Sequence, residues 1–168
     1  MINDREEIFN EIYNKYVKDV YAYFKICFGE YTADDLTQNT FIKILNYLNK
    51  YSFFIPYNRK AWVFSIVVNI KNDYLREKQK NLATEELNEN INITTEEDSL
   101  NTIIINKAIR ELNDKDRDVI LMTSMGLTSD EIAKHIHISA SAVRSRLSVA
   151  RERLKIILEK YGVDVDET

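Results

Sequence analysis

Between Ser139 and Lys160 the chain spaces small hydroxyls and guanidinium groups at helical intervals. At about 100° per residue, Ser141, Ser145 and Ser148 share one side of the helix, and Val143, Leu147, Ala150, Leu154 and Leu158 share the other. Arg144 and Arg151 flank the hydroxyl face on one edge, and Arg146 and Arg153 flank it on the other. Small hydroxyls let a helix approach base edges closely, while arginines reach a guanine edge or a phosphate. That is the chemistry of reading a DNA groove. A solvated basic face on an ordinary amphipathic helix accounts for the same spacing without any ligand.

A second set runs from Tyr51 to Lys60, where Phe53, Phe54 and Tyr57 alternate with Asn58, Arg59 and Lys60 around Pro56. Aromatics stack unpaired bases and cations hold their phosphates. One or two of these rings are assigned to packing, leaving Asn58, Arg59 and Lys60 as the contacts to a strand. A third set, Asp34, Asp35 and Gln38, stands at an expected helix start, where carboxylates are favoured by capping and by the helix dipole alone.

The elements that must position these groups are helical. From Ile8 to Phe28 apolar residues recur three and four apart, and Gly29 closes that helix. Thr32 with Asp35 reads as the cap of the next, whose stripe is Leu36, Phe41, Ile44, Leu45 and Leu48. A third helix is expected from about Lys60 to Lys80. Residues 81–95 show no helical period and read as a flexible acidic linker. Thr95 to Asp98 resembles another cap, Asn113 to Asp116 starts a helix ending at Gly126, and Thr128 with Glu131 caps a short helix to about Ile136. Ser139 then caps a long helix to Tyr161. Short helix, three-residue turn and long helix make a helix-turn-helix, whose second helix enters the major groove.

Composition agrees and excludes other classes. The 168 residues are 45% apolar, with three glycines and one proline, too few turn residues for an all-β fold or a glycine-rich phosphate loop. Cys27 is the only cysteine, so no internal disulfide or cysteine-based metal site is expected. His135 and His137 are two apart, which does not put both imidazoles on one helical face for a metal. No Ser/His/Asp constellation or paired catalytic carboxylates stand out, so neither catalysis nor a cofactor is expected. No membrane-spanning run or leader is read, which implies a reducing, cytoplasmic setting. The net charge of −4 conceals a pattern: residues 1–80 carry +2, residues 81–100 carry −6 and residues 101–168 carry zero. The basic helix near the end is hidden in an acidic average.

Leu112 to Leu154, with Asp130-Glu131-Ile132-Ala133 and Ser139-Ala140-Ser141-Ala142-Val143-Arg144-Ser145-Arg146-Leu147, resembles the promoter-binding region 4 of bacterial sigma factors of the extracytoplasmic-function group. Asp35-Leu36-Thr37-Gln38-Asn39-Thr40-Phe41 looks like the region 2 motif that grips the polymerase clamp, and Ala61-Trp62 with Asn69 to Lys80 looks like the helix that melts and reads the promoter −10 element. The resemblance implies an all-α protein of two small helical domains joined by a flexible acidic linker: residues 1–80 for polymerase docking and the −10 element, 81–100 as linker, and 101–168 for the −35 element. Core RNA polymerase and promoter DNA are the implied partners, and the family admits an anti-sigma factor.

By the same resemblance Asp34, Asp35, Gln38 and Asn39 dock on polymerase. Asn58, Arg59, Lys60, Trp62, Asn69, Tyr74 and Arg76 attend the −10 element, and Ser139, Ser141, Arg144, Ser145, Arg146 and Arg151 the −35 element. The linker would imitate nucleic acid in the polymerase channels with Glu85, Glu86, Glu89, Glu96, Glu97 and Asp98. Three positions depart from the family pattern: His137 where a turn glycine is usual, Asn39 for an acid, and Val68 for an arginine. A stand-alone DNA-binding regulator and a helical interaction module are the rival readings of the residues.

Overall fold

Ile12, Tyr16, Val20 and Phe24 follow one another at four-residue steps with Tyr23 three beyond Val20, so a single helical face takes all five out of water. That face belongs to α1 (Ile2–Phe28), the first of seven helices in a computed structural model describing residues 2–51, 55–82 and 99–165. The chain divides into two compact units, Met1–Asn92 and Ile93–Thr168. The described residues contain no strand.

In the first unit, α2 (Glu30–Lys50) and α3 (Arg59–Asn81) pack with α1. The core gathers Phe24, Leu36, Phe41, Ile44, Leu48, Phe64 and Val67, with Tyr23 meeting Phe24 and Phe64 edge to face. Each fully buried aliphatic or aromatic side chain of this kind contributes about 1.5 to 3 kcal/mol. The expected start of α2 moves. Gly29 adopts φ 86°, which a residue with a Cβ rarely does, and the chain re-enters a helix at Glu30. Thr32 is therefore inside the helix and caps nothing. Leu45, assigned to the apolar stripe, is 40% exposed, because Ile44 and Leu48 already fill the buried face. Tyr13 of α1, at the rim of the buried face, is exposed and meets Phe41 edge to face at 4.8 Å.

The second unit assembles α4 (Leu100–Glu111), α5 (Asp114–Ser124) and α6 (Ser129–Ile136) around α7 (Ala140–Lys160). Three of its helices start at caps expected from the residues. Asn113 accepts from the Asp116 amide at 3.0 Å, and Ser139 accepts from the Ala142 amide at 3.1 Å. Thr128 and Glu131 form a reciprocal capping box, with bonds of 3.3 and 2.8 Å. The cap of α4 is Ser99, which accepts from the Thr102 amide at 3.3 Å. The Thr95–Asp98 cap and most of the acidic linker lie outside the described residues, as do Phe53 and Phe54.

Candidate nucleic-acid and polymerase interfaces

Residues 137–139 form the three-residue turn between α6 and α7. His137 adopts the left-handed conformation, φ 57° and ψ 43°, without glycine's freedom. The turn is held on both sides: the Ile138 amide donates to the Ala133 carbonyl at 3.2 Å, and Ser139 caps α7. Ile132 and Ala133 of α6 and Val143, Leu147 and Ala150 of α7 are buried, and the two helices pack on each other. The burial of Val143, Leu147, Ala150 and Leu158 sets the rotation of α7. Ser141, Arg144, Ser145, Ser148 and Arg151 consequently face solvent, and Arg146 lies half-buried at the edge of that face. Ser139 Oγ and Ser141 Oγ stand 3.1 Å apart at the tip.

Arg153 has a different duty. Its guanidinium pairs with the buried carboxylate of Asp116 on α5, while Asn113 Nδ2 donates to the same carboxylate oxygen at 2.8 Å. This bond ties the fourth turn of the long helix to α5. Arg117 provides a second brace, donating to the carbonyls of Ile109, Arg110 and Leu112 at 3.3, 2.6 and 2.6 Å and to Asp114 at 2.8 Å. It donates to carbonyls at the end of α4, that of Ile109 also accepting from the Leu112 amide at 3.3 Å. Neither brace was legible in the residues, because Asp116 and Arg153 are 37 positions apart and Arg117 lies on no recognisable repeat.

In the first unit Asp34, Asp35, Gln38 and Asn39 are all exposed on one face of α2, joined there by Tyr31, Ile42 and Leu45. Since the helix begins at Glu30, Asp34 and Asp35 lie beyond the first turn, where capping and dipole effects are concentrated. Capping no longer explains them. Asp34 instead joins Glu30 near Tyr21, whose phenol is pushed upward by burial and by these carboxylates. A pocket of about 300 Å³, lined by Phe9, Tyr13, Phe41, Ile42 and Leu45, opens beside Gln38. The α2 face thus mixes carboxylates, amides and accessible apolar groups.

The residues assigned to an opened strand fall into two groups. Trp62, Asn69 and Arg76 recur every seven positions along α3, so about 100° per residue puts them on one face, opposite buried Val63, Val67 and Ile70. Asn69 and Arg76 are exposed and Trp62 is half-buried against Tyr47. Arg76 pairs with Asp73, whose carboxyl is held below its usual range chiefly by that hydrogen bond; Lys43 also lies 3.6 Å from Asp73. Tyr74 is turned aside to meet Phe28 edge to face at 4.9 Å, so it packs the end of the helical unit. Asn58 is the cap of α3, accepting from the Ala61 amide at 3.1 Å. Arg59 reaches Glu11 of α1 at 2.9 Å, and Lys60 follows it into the first turn.

Among the described residues no cluster of three or more His, Cys, Asp or Glu could hold a metal, and no helix is long and apolar enough to cross a membrane. Residues 12–81 match the family model for sigma-70 region 2, and residues 102–154 match that for sigma-70 region 4. The chain is 29% identical over 149 residues to RNA polymerase sigma factor SigZ of Bacillus subtilis (strain 168), covering 80% of this chain and 81% of that protein. Its fold is similar to that of the sigma factor RpoE from Bartonella quintana, solved with the anti-sigma factor NepR. That likeness has a TM-score of 0.74 at 24% identity and covers 91% of this chain and 98% of the other. It is also similar to CnrH, solved with the cytosolic domain of CnrY. There the TM-score is 0.64 at 22% identity, over 92% of this chain and 90% of the other.

Proposed function

This chain belongs to the sigma-70 family, in its extracytoplasmic-function group, and from that membership we propose how its two units divide the selection of a promoter. It is a sigma factor, a protein that joins core RNA polymerase and directs initiation at specific promoters. The observation that carries this reading is the presence, in order and in separate folded units, of region 2 and region 4. A stand-alone regulator needs only the second.

In this reading the α2 face of Asp34, Asp35, Gln38 and Asn39 docks on polymerase. Asn69 and Arg76, with Trp62, Arg59 and Lys60 beside them, attend the strand opened at the −10 element. Asn58 and Tyr74 serve that surface indirectly, as cap and as packing. The exposed hydroxyls and arginines of α7 read the −35 element, Arg144 and Ser145 on bases and Arg151 on phosphate, while Arg153 holds the helix in place. Catalysis belongs to the polymerase, and the work is cytoplasmic. An anti-sigma factor, of the kind bound to the RpoE neighbour, is a further partner.

The test is run-off transcription by core polymerase with this chain on a library of promoters. Defined start sites sharing two upstream elements are expected. Failure to assemble with core, combined with tight and specific duplex binding by the chain alone, would establish the stand-alone regulator instead.

A further inference from the structure

Val149 is 47% exposed on α7, while Val143, Leu147 and Ala150 of the same helix are buried. A single exposed aliphatic is ordinary on a protein surface; the position of Val149 is what gives it a use. At about 100° per residue it stands about 40° from Ser145, one turn farther along the helix, and farther from the buried face than Ser148, Arg144 or Arg151. It therefore shares the side of α7 that the hydroxyls occupy. Its neighbours leave it open: Arg153, a further turn on, has a stem long enough to lie across the isopropyl group, but its guanidinium is drawn to Asp116 of α5.

Charge and chemistry together identify what the isopropyl group meets. With Arg153 already neutralised by Asp116, Arg144 and Arg151 are exposed and Arg146 half-buried around Val149, against Glu152 alone. That surround is basic and suits a duplex with its phosphates. An isopropyl group neither donates nor accepts a hydrogen bond, so it cannot read the polar edge of a base. Of the groups that base pairs present in the major groove, the C5 methyl of thymine is the apolar one.

We propose that Val149 is a specificity-determining residue, which packs on the C5 methyl of one thymine in the −35 element and sets a preference for thymine at that base pair. The assignment rests on the reading that α7 reads the −35 element, and it adds an apolar contact to the hydroxyls and arginines of that face. Ser145 and Val149, one turn apart, then make a polar and an apolar contact along the same row of the helix.

The experiment uses the assembled holoenzyme and a promoter selected by the run-off assay, with each thymine of its upstream element, on either strand, replaced in turn by deoxyuridine, which pairs alike and lacks only the methyl. One replacement should weaken binding about three- to fivefold, the worth of one methylene-sized apolar group withdrawn from water. Val149→Ala should weaken binding to the unaltered promoter by a similar factor and abolish the difference between thymine and deoxyuridine at that position, while Arg144→Ala should keep the difference. Alanine is the better helix former, so a melting temperature at or above that of the unaltered chain separates a lost contact from a lost fold. Binding that no base change in the upstream element disturbs would overturn the −35 reading of α7, and this assignment with it. Binding that depends on the element but on none of its methyls, an element without thymine, or a methyl effect that survives in Val149→Ala would overturn the assignment of Val149 alone.

Discussion

Arg144 leaves α7 on the side away from Val143 and Leu147, exposed and near the end that a helix-turn-helix directs into the groove. An arginine in that place makes either a bidentate contact to guanine or a phosphate contact, and the two differ in what its removal does. For Arg144→Ala we expect a loss of about 1 to 3 kcal/mol confined to one base position of the −35 element. Binding of a panel of single-base variants by the holoenzyme measures it, and uniform weakening across the panel would assign Arg144 to the phosphates. Arg76 calls for a different argument, since it pairs with Asp73. A carboxylate whose folded pKa is depressed favours the folded pair above the unfolded pKa and loses that contribution as pH falls through the folded one. The hydrogen bond from Arg76 has moved Asp73 in that direction, so the pair persists across neutral pH and acid breaks it late. Asp73→Asn is expected to release Arg76 toward the strand and steepen the salt dependence of holoenzyme binding to a forked −10 DNA by about one phosphate contact. An unchanged slope would mean that Arg76 never reaches the backbone.

At the scale of the element, the turn between α6 and α7 combines a good cap with an awkward backbone. Thr128 and Glu131 satisfy the start of α6, and Thr128→Ala should cost about 0.5 to 2 kcal/mol. His137 pays for the left-handed turn with about 1 to 2 kcal/mol of steric cost that glycine would not incur, partly offset by glycine's greater freedom in the unfolded chain. His137→Gly is therefore expected to stabilise the second unit by up to about 1 kcal/mol, a rise of roughly 4 to 8 °C per kcal/mol for a unit of this size. Thermal melting followed by circular dichroism measures both. A fall in melting temperature for the glycine variant would show that the imidazole supplies contacts worth more than the strain. Because the buried face of α7 and the Asp116 to Arg153 pair fix the rotation of that helix, neither change should alter which bases are preferred.

At the scale of the whole molecule, the charge of −4 is the unusual feature for a DNA-binding protein. The six acids between residues 81 and 100 account for it, and without them the chain would be close to neutral. Duplex promoter DNA should consequently bind the free chain weakly and the holoenzyme far better, which a filter or fluorescence titration at fixed salt would measure. Replacing Glu85, Glu86, Glu89, Glu96, Glu97 and Asp98 by their amides should leave both units folded and both promoter elements recognised. The change should instead appear in assembly with core polymerase or in the ratio of abortive to full-length transcripts. Identical assembly and identical transcripts would reduce the acidic stretch to a tether.

Much of the molecule was decided locally and could be read from neighbouring residues. Caps at Asn113, Thr128 and Ser139 use side chains that bond amides two or three positions on, and the buried stripes of α1 and α7 follow from a fixed angle per residue. The hydroxyl and arginine face of α7 was legible for the same reason: burying Val143 and Leu147 leaves Ser141, Arg144 and Ser145 no other direction. What the chain order could not disclose is which long-range partner each exposed-looking group would take. Arg153, one of four similar arginines by spacing, is distinguished only by Asp116 lying opposite it; Tyr74 and Tyr47 are alike in sequence, yet one packs on Phe28 and the other supports Tyr51 beside Trp62. The start of α2 shifted because Gly29 accepts a positive φ and lets the helix resume at once, overriding the cap expected at Thr32. Periodicity determines the direction in which a side chain points; only the packing of one helix on another determines what stands there to meet it.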